Sequence, residues 1–259
     1  MKHNLAFIAV ILLIACQNTA PKEKKEHKLP TRSDFSPDPG VISEYQKEHR
    51  QTARSESIGS VSNGELKNGY LVPFSGTNFR YFDTTSYLSG RAFVNQAVYK
   101  TLLDSYKSLE NETEVFFGLM ECSNEHGGKI WPHRTHQNGL SCDFMSPMLK
   151  NGIATTDLNN LGADHYFMDF DKNGVYKPDG SYTIDFNTIA QHLLALNRSA
   201  AKFGLRIEKV ILKIELKDDL FATKYGKELK KSGIYFATSL SHLINELHDD
   251  HYHVDFKPI

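Results

Sequence analysis

Two short stretches of this chain hold residue types that bind metals and move protons. The first runs Pro132-His133-Arg134-Thr135-His136-Gln137-Asn138-Gly139-Leu140-Ser141-Cys142-Asp143 and sets His136 and Asp143 seven residues apart. The second runs His248-Asp249-Asp250-His251-Tyr252-His253 and sets His251 and His253 two apart. Residues i and i+2 of a β-strand lie on one face. If the second stretch is extended, both imidazoles turn into one site and Tyr252 turns the other way, into the core. A catalytic zinc ion takes three protein ligands and leaves one position for solvent. Two imidazoles and a carboxylate meet that need, provided the loop after Trp131 folds back onto the last strand. Such an ion acidifies water near neutral pH and so supplies a nucleophile without a strong base. His251, on the ligand face, can take the released proton or steady a developing oxyanion. A His-to-Asp pair at this spacing arises about once by accident in a chain this rich in both. The two pairs together, in this order, are the informative feature.

The elements that must position these stretches are partly legible. Residues 91–109 place apolar side chains at helical spacing, and residues 187–203 form a second helix that Gly204 would close. Residues 114–121, 206–216 and 251–256 read as strands, the last alternating His, Tyr, His, Val, Asp, Phe. Residues 165–171 and 181–186 also read as strands, and Asn173-Gly174 between them predicts a hairpin. Residues 218–232 read as one helix and 240–247 as one or two further turns. Residues 57–73 read as loop with short extended pieces, and 123–135, with two Gly and a Pro, as irregular chain. Strands and helices do not alternate regularly. The prediction is therefore an α+β single domain, its largely antiparallel central sheet flanked by helices and carrying the zinc site. Asp169-any-Asp171-any-Asn173-Gly174 imitates the start of a calcium loop, but position 180 is Gly180 rather than the closing acid, so it is read as a turn.

Composition narrows the class. The 259 residues carry a formal net charge of −1, which argues against nucleic acid as a partner. Residues 1–15 combine a basic start with an apolar run too short to span a membrane, the form of a secretory signal. Leu13-Ile14-Ala15-Cys16 resembles a bacterial lipobox, which implies cleavage before Cys16 and its acylation. Residues 16–50 are then the lipidated Cys and a disordered tether, and residues 51–259 the folded domain. The expected location is the periplasm, membrane-anchored, with the outer membrane favoured over the inner. Cys122 and Cys142 remain as an even pair. They form either a disulfide, contributing ~3 kcal/mol by loop closure, or two buried thiols. Arg80, Arg91, Lys129 and Arg134 could meet substrate carboxylates, solvated surface charge being the simpler role.

The chain resembles the penicillin-insensitive murein endopeptidases, of the wider lysostaphin and D-alanyl-D-alanine metallopeptidase group. The stretches that carry the likeness are Ser57-Ile58-Gly59-Ser60 with Asn63-Gly64, Arg80-Tyr81-Phe82, His133 with His136-Gln137-any-Gly139-Leu140, Asp143, and the closing His248, His251 and His253. The likeness implies one Zn2+ per chain on His136, Asp143 and His253, and His251 as the catalytic His with His248 beside it. It leaves His133, with Arg134 next to it, to a secondary or substrate-binding role. It also implies hydrolysis of the D-alanyl to meso-diaminopimelyl bond in peptidoglycan cross-linking peptides. A D,D-carboxypeptidase of the same group, or a lipoprotein that binds zinc or cell wall without hydrolysis, is the alternative. The family's Gly-Leu-Asp-any-Asp here reads Gly139-Leu140-Ser141-Cys142-Asp143, with Ser141 in place of the earlier acid. Oligomeric state has no signature in the sequence.

Overall fold

The structure, a computed structural model, describes residues 39–259. The signal-peptide and lipidation expectations, Cys16 included, lie outside the described residues. The C-terminal part of the segment predicted as a tether to residue 50 is helical instead. Pro39–Glu48 is a helix (α1) that buries Ile42 and sets Tyr45 edge-on to Tyr87. Two apolar side chains suffice to order a polar segment when a tertiary surface waits for them, and composition does not register that surface.

Residues 57–73, expected to be loop, form a hairpin of Glu56–Ser60 (β1) and Asn63–Lys67 (β2), followed by Tyr70–Leu71 (β3). Phe79–Tyr81 (β4) and Thr84–Leu88 (α2) come next. The helix expected from residue 91 starts later. Phe93–Val94 (β5) pairs with β3, and Asn95 then caps Gln96–Leu109 (α3) by accepting from the Ala97 amide at 2.9 Å. Phe117–Leu119 (β6), Ser141–Met145 (β7), Met148–Lys150 (β8) and Ile153–Thr155 (β9) follow. The strand predicted over residues 165–171 is instead a 3-10 turn, Gly162–Phe167, but the Asn173-Gly174 hairpin exists in short form: Asp171 accepts from the Asn173 and Val175 amides, and Phe170 bridges Tyr176. Tyr182–Ile184 (β10) leads to Phe186–Lys202 (α4), capped by Asp185 and ended at Gly204, whose φ is +74°. Leu205–Ile211 (β11) is shorter than expected, because Ile214–Leu216 turns into a 3-10 helix. The single helix predicted over 218–232 is two, Lys217–Ala222 (α5) and Lys224–Lys231 (α6), divided at Thr223, whose hydroxyl caps α6 through the Gly226 amide. His242–Glu246 (α7) precedes the last strand, His251–Pro258 (β12).

The predicted α+β class holds: mixed helix and sheet in one domain, with antiparallel pairing dominant. The main sheet runs β11-β12-β7-β6-β4, antiparallel except between β6 and β4. Its central pair, β7 and β12, is buried on both faces. One face is covered by α4, which packs on α3 and β11. There Tyr252 and Phe144 stack, and the Tyr252 hydroxyl and His192 Nδ1 of α4 share a hydrogen bond of 2.5 Å. His192 lies among Tyr106, Phe117 and Phe144. The other face carries Ser141, Asp143, His251, His253 and Asp255. Cys122 and Cys142 are buried free thiols with Sγ atoms 3.6 Å apart. Among the described residues no helix is long and apolar enough to cross a membrane.

Burial lowers the His192 pKa to about 3. The unfolded chain takes up this proton below about pH 6.5 and the folded one refuses it, so stability falls as pH drops through that window. Between pH 7 and pH 5 the expected loss is about 2 kcal/mol, from ~1.4 kcal/mol per pH unit. Urea unfolding at the two pH values measures it. In a His192→Leu/Tyr252→Phe double variant, which replaces both partners by apolar groups, the pH slope should flatten.

Candidate metal centre

The centre begins with strand register. In the β7–β12 pair, Asp143 lies opposite His253, Met145 opposite His251 and Ser141 opposite Asp255. Directly opposed residues have Cβ atoms about 5 Å apart on the same face, so the two pairings alone bring a carboxylate to an imidazole. Asp143 Oδ1 accepts from His253 Nδ1 at 2.7 Å. The other oxygen, Oδ2, is buried and has no hydrogen-bond partner. Facing it are His136 Nε2 at 3.3 Å and His133 Nδ1 at 3.5 Å. His136 Nε2 is also 3.1 Å from His253 Nδ1.

The loop that delivers His133 and His136 is braced rather than free. Leu66 donates to the His126 carbonyl, Gln137 to that of Val61, and the Ser57 hydroxyl to that of Asn138. The β1–β2 hairpin thus clamps the loop. Gly139 makes its return possible. Its φ is +75°, and a Cβ there would stand 2.7 Å from the Asn95 nitrogen. His136 itself has φ +66°, unusual for a residue with a side chain, and its amide contacts Ser141 Oγ at 3.4 Å.

A second ring of groups orients the first. The His253 ring reaches Asp255 Oδ1 through Nε2 at 2.7 Å, and that oxygen also accepts from Ser141 Oγ at 2.6 Å, with Lys209 on the other oxygen. Ser141, the departure from the family motif, therefore supports the carboxylate behind His253. Glu121, just past β6, contacts His133 Nε2 at 2.5 Å and accepts from Arg91 at 2.7 Å and from the Ser86 hydroxyl at 3.0 Å. Arg91 is thereby a partner of Glu121 and of the Trp131 carbonyl rather than solvated surface charge. His251 Nδ1 lies 2.5 Å from Asp250 Oδ1, and His248 Nδ1 2.6 Å from the Ile244 carbonyl, which requires the proton on that nitrogen of His248. The His248 and His251 rings are 4.8 Å apart.

His133, His136 and Asp143 form a group that could hold a metal ion, their ligating atoms all lying within 4.8 Å of one another. His133, read from the sequence as a secondary residue, is thus among the donors, whereas His253, expected as the third ligand, lies outside that group and contacts it at Asp143 and His136. Arg134 is exposed, one residue beyond His133. Two donors match what a cation wants. Burial lowers the His136 pKa despite Asp143, so its imidazole is neutral; and although burial opposes it, His136 and His253 hold Asp143 well below the usual carboxylate range. Burial also opposes protonation of His253, but Asp255 and Asp143 outweigh it and raise the group to about 10.

Sequence reasoning missed Glu121, Asp255 and Asp250. Asp255 had a signal, since it sits two residues past His253 on the same strand face. No protein-family model matches the sequence, and no curated protein matches it.

Groups behind metal-ligating His residues typically govern affinity by 10- to 100-fold. Asp255→Asn should weaken zinc binding by about that factor in competition with a fluorescent chelator, with the circular dichroism spectrum unchanged. Metal-free His253 holds its proton up to about pH 10, so a divalent cation that takes His253 as a ligand at pH 7 must displace it. Calorimetry in buffers of different ionisation enthalpy should then show net proton release.

Proposed function

We propose that the chain is a zinc-dependent endopeptidase that hydrolyses D-alanyl–meso-diaminopimelyl cross-links in bacterial peptidoglycan, working in the periplasm as a lipoprotein anchored through Cys16. What supports the reading is the cross-strand pairing of Asp143 with His253, with His136 and His133 closing on the same carboxylate. The residues that the family resemblance names are the residues that meet. The orphaned Asp143 Oδ2, buried among three imidazoles, fits a cation. One zinc ion, held by His136, Asp143 and His253, supplies Lewis acidity and lowers the pKa of water.

The chain's own groups do the rest. Asp250 binds the Nδ1–H of His251, which leaves Nε2 as the nitrogen able to exchange a proton with the attacking water or the leaving amine. His248 is held by a carbonyl on Nδ1 and stands beside His251; burial, with His251 next to it, lowers its pKa to about 3, so it stays neutral and offers Nε2 as a hydrogen-bond acceptor rather than as a base. Burial of both His251 and Asp143 excludes bulk water and strengthens each charge–dipole contact. Exposed Arg134 suits a carboxylate of the cross-linking peptide.

Digestion of purified cross-linked muropeptides tests the proposal. The expected result is new amine ends at the D-alanyl–diaminopimelyl bond by mass spectrometry, lost with a chelator and restored by zinc. The His136→Ala protein should fall to background. Loss of a terminal D-Ala instead would make the chain a carboxypeptidase. Zinc or cell-wall binding without product would make it a binding protein.

A further inference from the structure

Tyr166 sits in the 3-10 turn Gly162–Phe167, outside both metal-site stretches. Its ring stands edge-on to His251, with centroids 5.5 Å apart and planes at 88°, and edge-on to Phe82 on its other side at 5.7 Å. Part of the residue reaches solvent, but its hydroxyl oxygen is buried and has no hydrogen-bond partner. A buried hydroxyl left unpaired destabilises the fold, so native structures pair nearly all of them. The turn that carries it is not loose. Neighbouring His165 is buried and contacts the Asp250 carbonyl through Nε2 at 3.0 Å, while its own carbonyl accepts from Met168 at 3.0 Å. Tyr166 is therefore fastened to the start of β12, the strand that carries His251 and His253.

The carboxylates around the centre also act on Tyr166. Burial first, then the carboxylates of Glu121, Asp143 and Asp250, push its phenol well above the ordinary value. Three carboxylates around the centre thus act on one hydroxyl, which keeps its proton. A protonated phenol held beside the proton-exchanging His, with its hydrogen uncommitted, is a donor in want of an acceptor.

We propose that the Tyr166 hydroxyl donates a hydrogen bond to the scissile carbonyl oxygen of the bound peptide and stabilises the negative charge that develops there. This rests on the hydrolase reading above. Donors aimed at a developing oxyanion act in the transition state more than in the ground state.

The test is Tyr166→Phe, which removes one oxygen that bonds to nothing in the folded chain. On zinc-loaded protein and muropeptide, kcat should fall about 10²- to 10³-fold while KM stays within about twofold. Zinc content and Tm should be no lower than the parent's. A readout independent of turnover is the affinity for a phosphinate analogue of the cross-link, which should weaken about tenfold or more, while binding of the uncut peptide to metal-free protein is unchanged. An active parent with an equally active variant overturns the inference alone. So does a variant whose loss tracks lowered zinc content or Tm. A parent that cuts nothing overturns the hydrolase reading, and this inference with it.

Discussion

The register between β7 and β12 carries the rest of the site. Side chains alternate faces along a strand, so a slip of β12 by one residue against β7 would send His253 to the helix-covered face, away from Asp143, and turn Tyr252 into the centre. Both faces are buried, which makes such a slip costly on either side. On one face Tyr252 would lose His192 and its stack on Phe144. On the other, His253 would lose two carboxylates at once. The aromatic packing of the core and the polar chemistry of the centre are therefore two sides of one constraint. Each specifies the register that the other needs.

The polar face is a set of buried charges, and buried charges survive only when paired and hydrogen-bonded. Most here are. Asp255 is shared by Ser141, His253 and Lys209, and Glu121 by His133, Arg91 and Ser86. Exceptions remain at and around the centre, among them Asp143 Oδ2, His136 Nδ1, His165 Nδ1, Asp250 Oδ2 and the Tyr166 hydroxyl, all buried without hydrogen bonds. Unpaired buried polar atoms of this kind call for a partner, and Asp143 Oδ2 is the one that faces two imidazoles.

How much of this could be read from the sequence depends on which interactions are local. The strand of His251 and His253 was legible because its alternation repeats every two residues, and the same rule sent Tyr252 to the core. Asp255 was equally available to that rule. The seven-residue step from His136 to Asp143 was visible, but its geometry was not. It depends on Gly139, on the left-handed backbone of His136 and on a hairpin some seventy residues earlier that read as loop. Glu121 comes from a neighbouring strand, and strand order is a long-range property that spacing does not encode. Tyr166 was hidden twice: its segment read as a strand and formed a turn, and a lone Tyr carries no motif. The helix at residues 39–48 was missed because its few apolar residues have value only against Tyr87 and the surface around it.

The convergence of four donors raises a question of coordination that the second ring answers. Structural zinc sites take four protein ligands, whereas a catalytic one leaves a position for solvent. The four are not held alike. His136, Asp143 and His253 are fully enclosed, the latter two tied by strand pairing and His253 further tied by Asp255. His133 is part-exposed, sits on the loop between a surface Trp131 and a surface Arg134, and answers to Glu121 on its far nitrogen. It is the least enclosed of the four, and Glu121, itself paired with Arg91, holds its far nitrogen. The asymmetry of support thus separates three enclosed side chains from one at the edge of solvent.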